Sequence, residues 1–194
     1  MNIDLAKKIA AREIRGFEQC ATKLPDGRIK AYWDKYGKVW TIGWGNTYYQ
    51  DGSAVREGDI ITQAQADTLL DFVIDQKEKI IRPYFKVKLN ENQYAALISL
   101  AYNCGEGNLK KSHLLELINA GASRAEIEDQ FDETCVTAKG VWMKGLYNRR
   151  LSEMKLFYDS ALSYVTNNPE ISIATALTIF GLAGYYLYRA AKLK

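Results

Sequence analysis

An α+β fold, with a small sheet lobe set against a larger helical lobe, is what this sequence predicts, and three observations carry the prediction. The 194 residues are 47% hydrophobic and 25% charged, ordinary proportions for one medium globular domain with an appendage. Turn signals and strand-forming residues are gathered in one block, 24–47. Capped helices with apolar residues at helical spacing fill most of the rest. A helix leading into a small sheet, with helices behind it, leaves a groove between two unequal halves.

The elements follow in order. Residues from Ile3 to about Gln19 read as a helix, with Ile14 and Phe17 on its apolar face. Pro25-Asp26-Gly27 and Tyr36-Gly37-Lys38 mark turns, and Val39 to Trp44 is rich in strand formers. On that strand Trp40, Ile42 and Trp44 fall on one face. Thr41, Gly43 and Gly45 fall on the other, leaving open space beside the threonine hydroxyl as in a cleft wall. Thr62 with Gln65 predicts a capping box for a helix running to Pro83, and Asn90 caps the next, which stops at Gly105 with Cys104 as core filler. Ser112 opens a short helix closed by Gly121, Ser123 with Glu126 forms another box, and a final amphipathic helix runs from Leu146 to about Tyr164.

Beyond it, Ile171 to Tyr188 is 18 residues without a charge, bracketed by Glu170 and Arg189, about 27 Å as a helix. Tyr185, Tyr186 and Tyr188 beside Arg189, Lys192 and Lys194 resemble an interfacial belt with basic anchors. The expectation is a C-terminal transmembrane helix at 171–188 after a linker at 166–170, with a basic tail at 189–194 and the main domain at 1–165. It implies contact with a lipid bilayer. No secretory signal opens the chain.

Charge excludes one class of partner. Lys and Arg number 26 against 23 Asp and Glu, a net +3, too little for a protein built to neutralise phosphates, so nucleic acid is not expected. Cys20, Cys104 and Cys135 are odd in number, far apart and without CxxC spacing, so they are expected to be reduced thiols. His113 is the single histidine; no zinc cluster and no Cys/His pairing stands out. The chemistry is left to carboxylates, with no metal or cofactor.

The stretches IRGFEQ and IKAYWDKYGKVWTIGWGNT, then LNENQYAALISLAYNCGEGNLKKSHLLELINAG and GLYNRRLSEMKLF, carry a resemblance to the phage-type lysozymes, endolysin glycoside hydrolases of the T4 and P22 kind. The blocks match in order over roughly residues 10–160. The resemblance implies a lysozyme-like fold and cleavage of the β-1,4 bond between N-acetylmuramic acid and N-acetylglucosamine in bacterial peptidoglycan. The family's catalytic glutamate falls on Glu18, its aspartate on Asp34 and its threonine on Thr41. Glycoside hydrolysis needs these types: one carboxylic acid that keeps its proton and one carboxylate that stays ionised. Glu18, at a helix end beside Phe17, is expected in a poorly hydrated setting as general acid. Asp34 is expected to position water or attack the sugar, with Thr41 orienting Asp34 or that water.

Other residues compete for these roles. Asp26, nearer to Glu18 in sequence, rivals Asp34 but is explained by its Pro-Asp-Gly turn. Tyr32 and Trp33 are candidates for binding the sugar chain, together with Asn46, which stands where the family often has histidine. Trp40 and Trp44 are expected mostly in core, and Arg149 and Arg150 are expected to tie the last helix to the domain. Three departures from the family pattern stand out: about seven extra residues between Glu18 and Ile29, one between Asp34 and Thr41, and Gln19 in place of glycine. Both insertions are expected at turns. A lytic transglycosylase, or an inactive fold serving as a wall-binding membrane part, remain the alternatives to a membrane-anchored muramidase.

Overall fold

The structure, a computed structural model, describes residues 1–159 apart from Gln19 and Ala21. The first helix, α1 (Ile3–Phe17), starts where the Asn2 side chain accepts the Leu5 N–H, and Glu18 in extended conformation ends it. Its apolar stripe of Leu5, Ile9 and Ile14 is buried against α3 (Glu91–Cys104). That helix is capped by a reciprocal Asn90/Gln93 box and ends at Gly105, whose φ of 84° suits glycine.

The sheet lobe is more fragmentary than the sequence predicts. β1 (Ile29–Lys30) pairs antiparallel with β4 (Ile60–Ile61), and β2 (Tyr32–Asp34) pairs separately with β3 (Val39–Thr41). The expected strand to Trp44 stops at Thr41, because Ile42 and Asn46 exchange backbone hydrogen bonds of 2.8 and 2.9 Å across a tight turn. Gly43 and Gly45 turn the chain there at φ +61° and +96°, a backbone region that disfavours other residues.

The helical lobe continues with α2 (Gln63–Ile81), opened by the Thr62/Gln65 capping box, and a 3-10 turn at Arg82–Tyr84. Next come α4 (Glu106–Lys110), α5 (His113–Ala120) and α6 (Arg124–Glu133), the last opened by the Ser123/Glu126 box. A hairpin of β5 (Thr137–Ala138) and β6 (Val141–Trp142), which the sequence reading missed, leads into α7 (Lys144–Tyr158). Two cores result: a large one around α3 and a small one of Ile29, Ala31, Ile42, Val55, Ile61, Ala66 and Leu69, with Trp44 touching both.

The predicted fold class needs one correction. The two-lobed α+β arrangement is present, but no helix among the described residues is long and apolar enough to cross a membrane. The apolar α3 has only 14 residues, and the 19-residue α2 carries charges along its length. The expected linker, transmembrane helix at 171–188 and basic tail lie outside the described residues, as does the domain boundary at 165. Over the described residues the fold is therefore α+β, without a membrane-spanning helix.

Candidate active site

Glu18 sits where α1 gives way to the sheet lobe. Its N–H still reaches the Ile14 carbonyl at 2.8 Å while its own backbone is extended, so Glu18 ends the helix. One carboxylate oxygen, Oε1, accepts from Arg149 Nη1 at 2.6 Å. The other, Oε2, lies 3.4 Å from where a side chain at Gly45 would begin. Gly45 thus serves twice, adopting a φ few residues tolerate and leaving the carboxyl room. The setting differs from the poorly hydrated one expected beside Phe17: the carboxyl is 28% exposed and ion-paired, although Phe17 does lie under the Arg149 guanidinium at 5.4 Å.

Arg149 is itself 4% exposed and held from behind. Its Nε donates to Glu153 Oε1 at 3.2 Å, and Nη2 lies 3.5 Å from both the Ser99 carbonyl and hydroxyl. Glu153 is fully buried, accepts from the Ser99 hydroxyl at 2.7 Å and lies 2.9 Å from Arg150 Nε. Burial pushes the Glu153 carboxyl above its ordinary range, against the pull of Arg150 and Arg149. Two guanidiniums and two carboxylates make a balanced set that only Glu18 carries to the surface. The i, i+4 spacing of Arg149 and Glu153 was the available signal. The expectation that these arginines tie α7 to the domain is met, but the tie of Arg149 ends on Glu18 itself.

The other candidate carboxylate belongs to the β2–β3 hairpin. Its register pairs Tyr32 with Thr41, Trp33 with Trp40 and Asp34 with Val39. Tyr32, Thr41 and Asp34 therefore share one face, and the two tryptophans share the other. Asp34 is positioned locally: Oδ1 accepts the Tyr36 N–H at 2.8 Å, and a side chain at Gly37 would begin 2.6 Å from Oδ2. Thr41 is buried, with only a 3.4 Å contact to the Val39 carbonyl for its hydroxyl. Burial first, then the charges of Asp34 and Glu18, raise the Tyr32 phenol above its ordinary value. Tyr32 thus lies within the fields of both carboxylates.

The remaining candidates are placed apart from this face. Trp33 is exposed and packs edge-on to Trp40 with ring centroids 5.6 Å apart, on the side away from Tyr32 and Asp34. Asn46 is buried in the 42–46 turn. Trp44 donates its indole N–H to Asp67 at 3.0 Å under the Arg15 guanidinium, a structural post. Asp26 is exposed, its carboxylate held below the usual range by the backbone N–H and guanidinium of Arg28. The extra residue between Asp34 and Thr41 falls within the 35–38 turn joining β2 and β3.

Tyr102, a residue of α3, joins the helical lobe to the sheet lobe. Its hydroxyl donates to the Trp44 carbonyl at 2.7 Å. Burial, followed by the charge of Glu18, pushes its phenol up. Among the described residues there is no group of three or more His, Cys, Asp or Glu that would hold a metal ion.

Known proteins share this fold. The family model described as Phage lysozyme matches residues 7–153. The endolysin of Acyrthosiphon pisum secondary endosymbiont phage 1 is 35% identical over 133 residues, 67% of this chain and 86% of that protein. The SAR-endolysin of Enterobacteria phage P21 is 35% identical over 61% of this chain and 68% of its own length. This chain spans only 56% of the Lactococcus phage c2 endolysin. Among solved structures, the endolysin from Escherichia coli O157:H7 phage FAHEc1 superimposes with a TM-score of 0.70 at 28% identity, covering 83% of this chain and 96% of that one. A P22 lysozyme mutant gives 0.63 at 30% identity, over 77% and 95%. The match of the family model over most of the chain, with the endolysin relatives and the shared fold, places this chain in the phage lysozyme family, glycoside hydrolases of the endolysin type.

Proposed function

We propose that the chain hydrolyses the β-1,4 bond between N-acetylmuramic acid and N-acetylglucosamine in bacterial peptidoglycan, with Glu18 as general acid. The observation that supports this reading is that the charges of both Asp34 and Glu18 act on the Tyr32 phenol, as expected of two carboxyl groups serving one groove. Arg149 grips Oε1 and fixes the carboxyl plane, so Oε2 beside Gly45 is the oxygen free to face a leaving glycosidic oxygen. On the facing wall Asp34, held by the Tyr36 N–H, supports attack on the ring carbon as positive charge develops there. The Thr41 hydroxyl shares that face and orients Asp34 or the attacking water. The Tyr32 ring offers a surface for a sugar.

Digestion of purified peptidoglycan with the full chain tests the reaction. Mass spectrometry is expected to find muropeptides with ordinary reducing ends; 1,6-anhydro ends refute hydrolysis in favour of a transglycosylase. Glu18→Gln should lower turnover by about 10²–10⁴-fold with the fold intact. Asp34→Asn should give a loss of similar order, and Asp26→Asn should leave zymogram clearing unchanged. Wild-type binding to the wall without any clearing would overturn the reading in favour of a non-catalytic wall protein.

A further inference from the structure

Glu153 is sealed from solvent, yet three donors meet on one of its oxygens. Its Oε1 accepts from the Ser99 hydroxyl at 2.7 Å, from Arg150 Nη2 at 3.1 Å and from Arg149 Nε at 3.2 Å. Oε2 lies 2.9 Å from Arg150 Nε without the alignment of a hydrogen bond. Glu153, Arg150 and Ser99 are all fully buried. Each nitrogen of the Arg149 guanidinium has its own place: Nε on Glu153, Nη2 at 3.5 Å from Ser99, and Nη1 on Glu18 Oε1 at 2.6 Å. Because the guanidinium is planar, holding Nε and Nη2 from inside fixes where Nη1 points. Charge is matched as closely as direction. Among the described residues Arg150 has Glu153 as its one salt-bridge partner, and its Nη1 makes no hydrogen bond. Glu153 is thus shared by two guanidiniums, and Glu18 completes the set as the second carboxylate.

We propose that Glu153 is a positioning residue for the reaction: through Arg149 and Arg150 it sets both the direction of the nitrogen that grips Glu18 and the positive charge that Glu18 meets. The inference rests on Glu18 being the general acid. Charges with no water between them are poorly screened, so an imbalance inside the set is felt at its one member near the surface. Removing the charge of Glu153 leaves two guanidiniums to a single carboxylate, which favours the ionised form of that carboxylate, whereas a general acid works only while it holds its proton. The pH range of activity is therefore set partly by a residue that cannot touch a sugar. Other titratable groups face the same carboxyls from neighbouring elements. Cys104 of α3 and Cys135 after α6 feel the charge of Glu153, and Tyr102 of α3 and Tyr32 of β2 feel that of Glu18. Burial comes first among the causes that raise both phenols, so they stay neutral while a carboxyl titrates.

Turnover of soluble peptidoglycan glycan fragments by the full chain, measured against pH below the melting temperature of each variant, tests this. Glu153→Gln keeps the shape and removes the charge, so the alkaline limb of the kcat profile should move down by roughly half to one pH unit. Loss of the grip on Nε should also lower kcat at the optimum about 10-fold. Arg150→Met removes one guanidinium and leaves Arg149 paired with Glu153, so the limb should move up by a similar amount. The double variant restores the balance, and its limb should return to the wild-type position. KM should not change, because both residues are fully buried. The same series in a Cys135→Ser background removes that thiol as a source of any shift. A purely structural tie gives less folded enzyme with the limb unmoved; that result, or single variants that shift the same way, overturns the proposal. Arg150→Met carries the test alone where Glu153→Gln does not fold. Activity retained by Glu18→Gln defeats the assignment of the acid and this inference with it, whereas an inactive Glu18→Gln beside unmoved limbs defeats this inference alone.

Discussion

The two candidate catalytic carboxylates are held by different means. Glu18 is fixed from a distance: its partner Arg149 is 131 residues away, and Arg149 is held in turn by Glu153 and Ser99 in the helical core. Asp34 is fixed by its own neighbours, the Tyr36 N–H two residues on and the bare Cα of Gly37. A long-range support built of buried charges is stiff and fails as a unit, because removing one member leaves another charge desolvated. A local turn is cheap to build and yields to small changes. The acid side is therefore predicted to respond to substitutions far from the groove, and the aspartate side only to substitutions within its hairpin.

Arg149→Ala gives the largest expected effect on that contrast. It frees Glu18 Oε1 and leaves Glu153 to Arg150 alone, in a site with no access to water. Breaking such a buried set costs about 3–5 kcal/mol, and loss of the carboxyl's orientation is expected to lower turnover by about 100-fold. Thermal melting and kcat measured on the same preparation check both. Arg149→Lys should recover part of the stability but little of the turnover, because an ammonium lacks the planar fork that reaches Glu18 and Glu153 together. If Arg149→Ala melts like wild type and keeps full activity, Glu18 is held by its helix end alone and the contrast fails.

The same contrast explains what was legible in the sequence. Capping boxes at Thr62, Asn90 and Ser123 involve residues three apart, so their helices began where predicted. Asp34 in its turn and the shared face of Tyr32 and Thr41 follow from local alternation. Trp44 broke that alternation because the 42–46 backbone bridge ended the strand, a closure set by two positive-φ glycines rather than by hydrophobic pattern. Arg149 was read only as a tie because the identity of its far partner depends on how α7 packs on α3, and no local pattern encodes that packing. Tyr102 was hidden for the same reason, as an apolar-face residue of α3 whose hydroxyl finds the other lobe only after folding.

Gly37→Ala probes the local side with a smaller effect. The added methyl would begin 2.6 Å from Asp34 Oδ2, too close for the present rotamer, so the carboxylate must turn and release the Tyr36 N–H. Loss of that hydrogen bond costs about 0.5–1.5 kcal/mol, and displacement of the carboxylate is expected to reduce turnover roughly 10-fold. Melting should move only slightly, since the turn is exposed and far from both cores. A drop in melting as large as that of Arg149→Ala would show that the hairpin is as tightly integrated as the helical side.

Tyr102→Phe has the smallest expected effect and tests the one bond that joins the two kinds of support. Its hydroxyl donates to the Trp44 carbonyl at 2.7 Å from a helix of the large core, and Gly45, the next residue after Trp44, is the one facing Glu18 Oε2. Phenylalanine keeps the ring in its place and removes only the donor, which leaves a carbonyl without that partner and costs about 1 kcal/mol. If that loss is felt wholly in the transition state, turnover falls about 5-fold. KM should stay the same, because nothing that contacts the sugar is removed. A change in KM with turnover intact would instead mean that Tyr102 shapes the groove for binding and that Glu18 does not depend on the 43–45 turn.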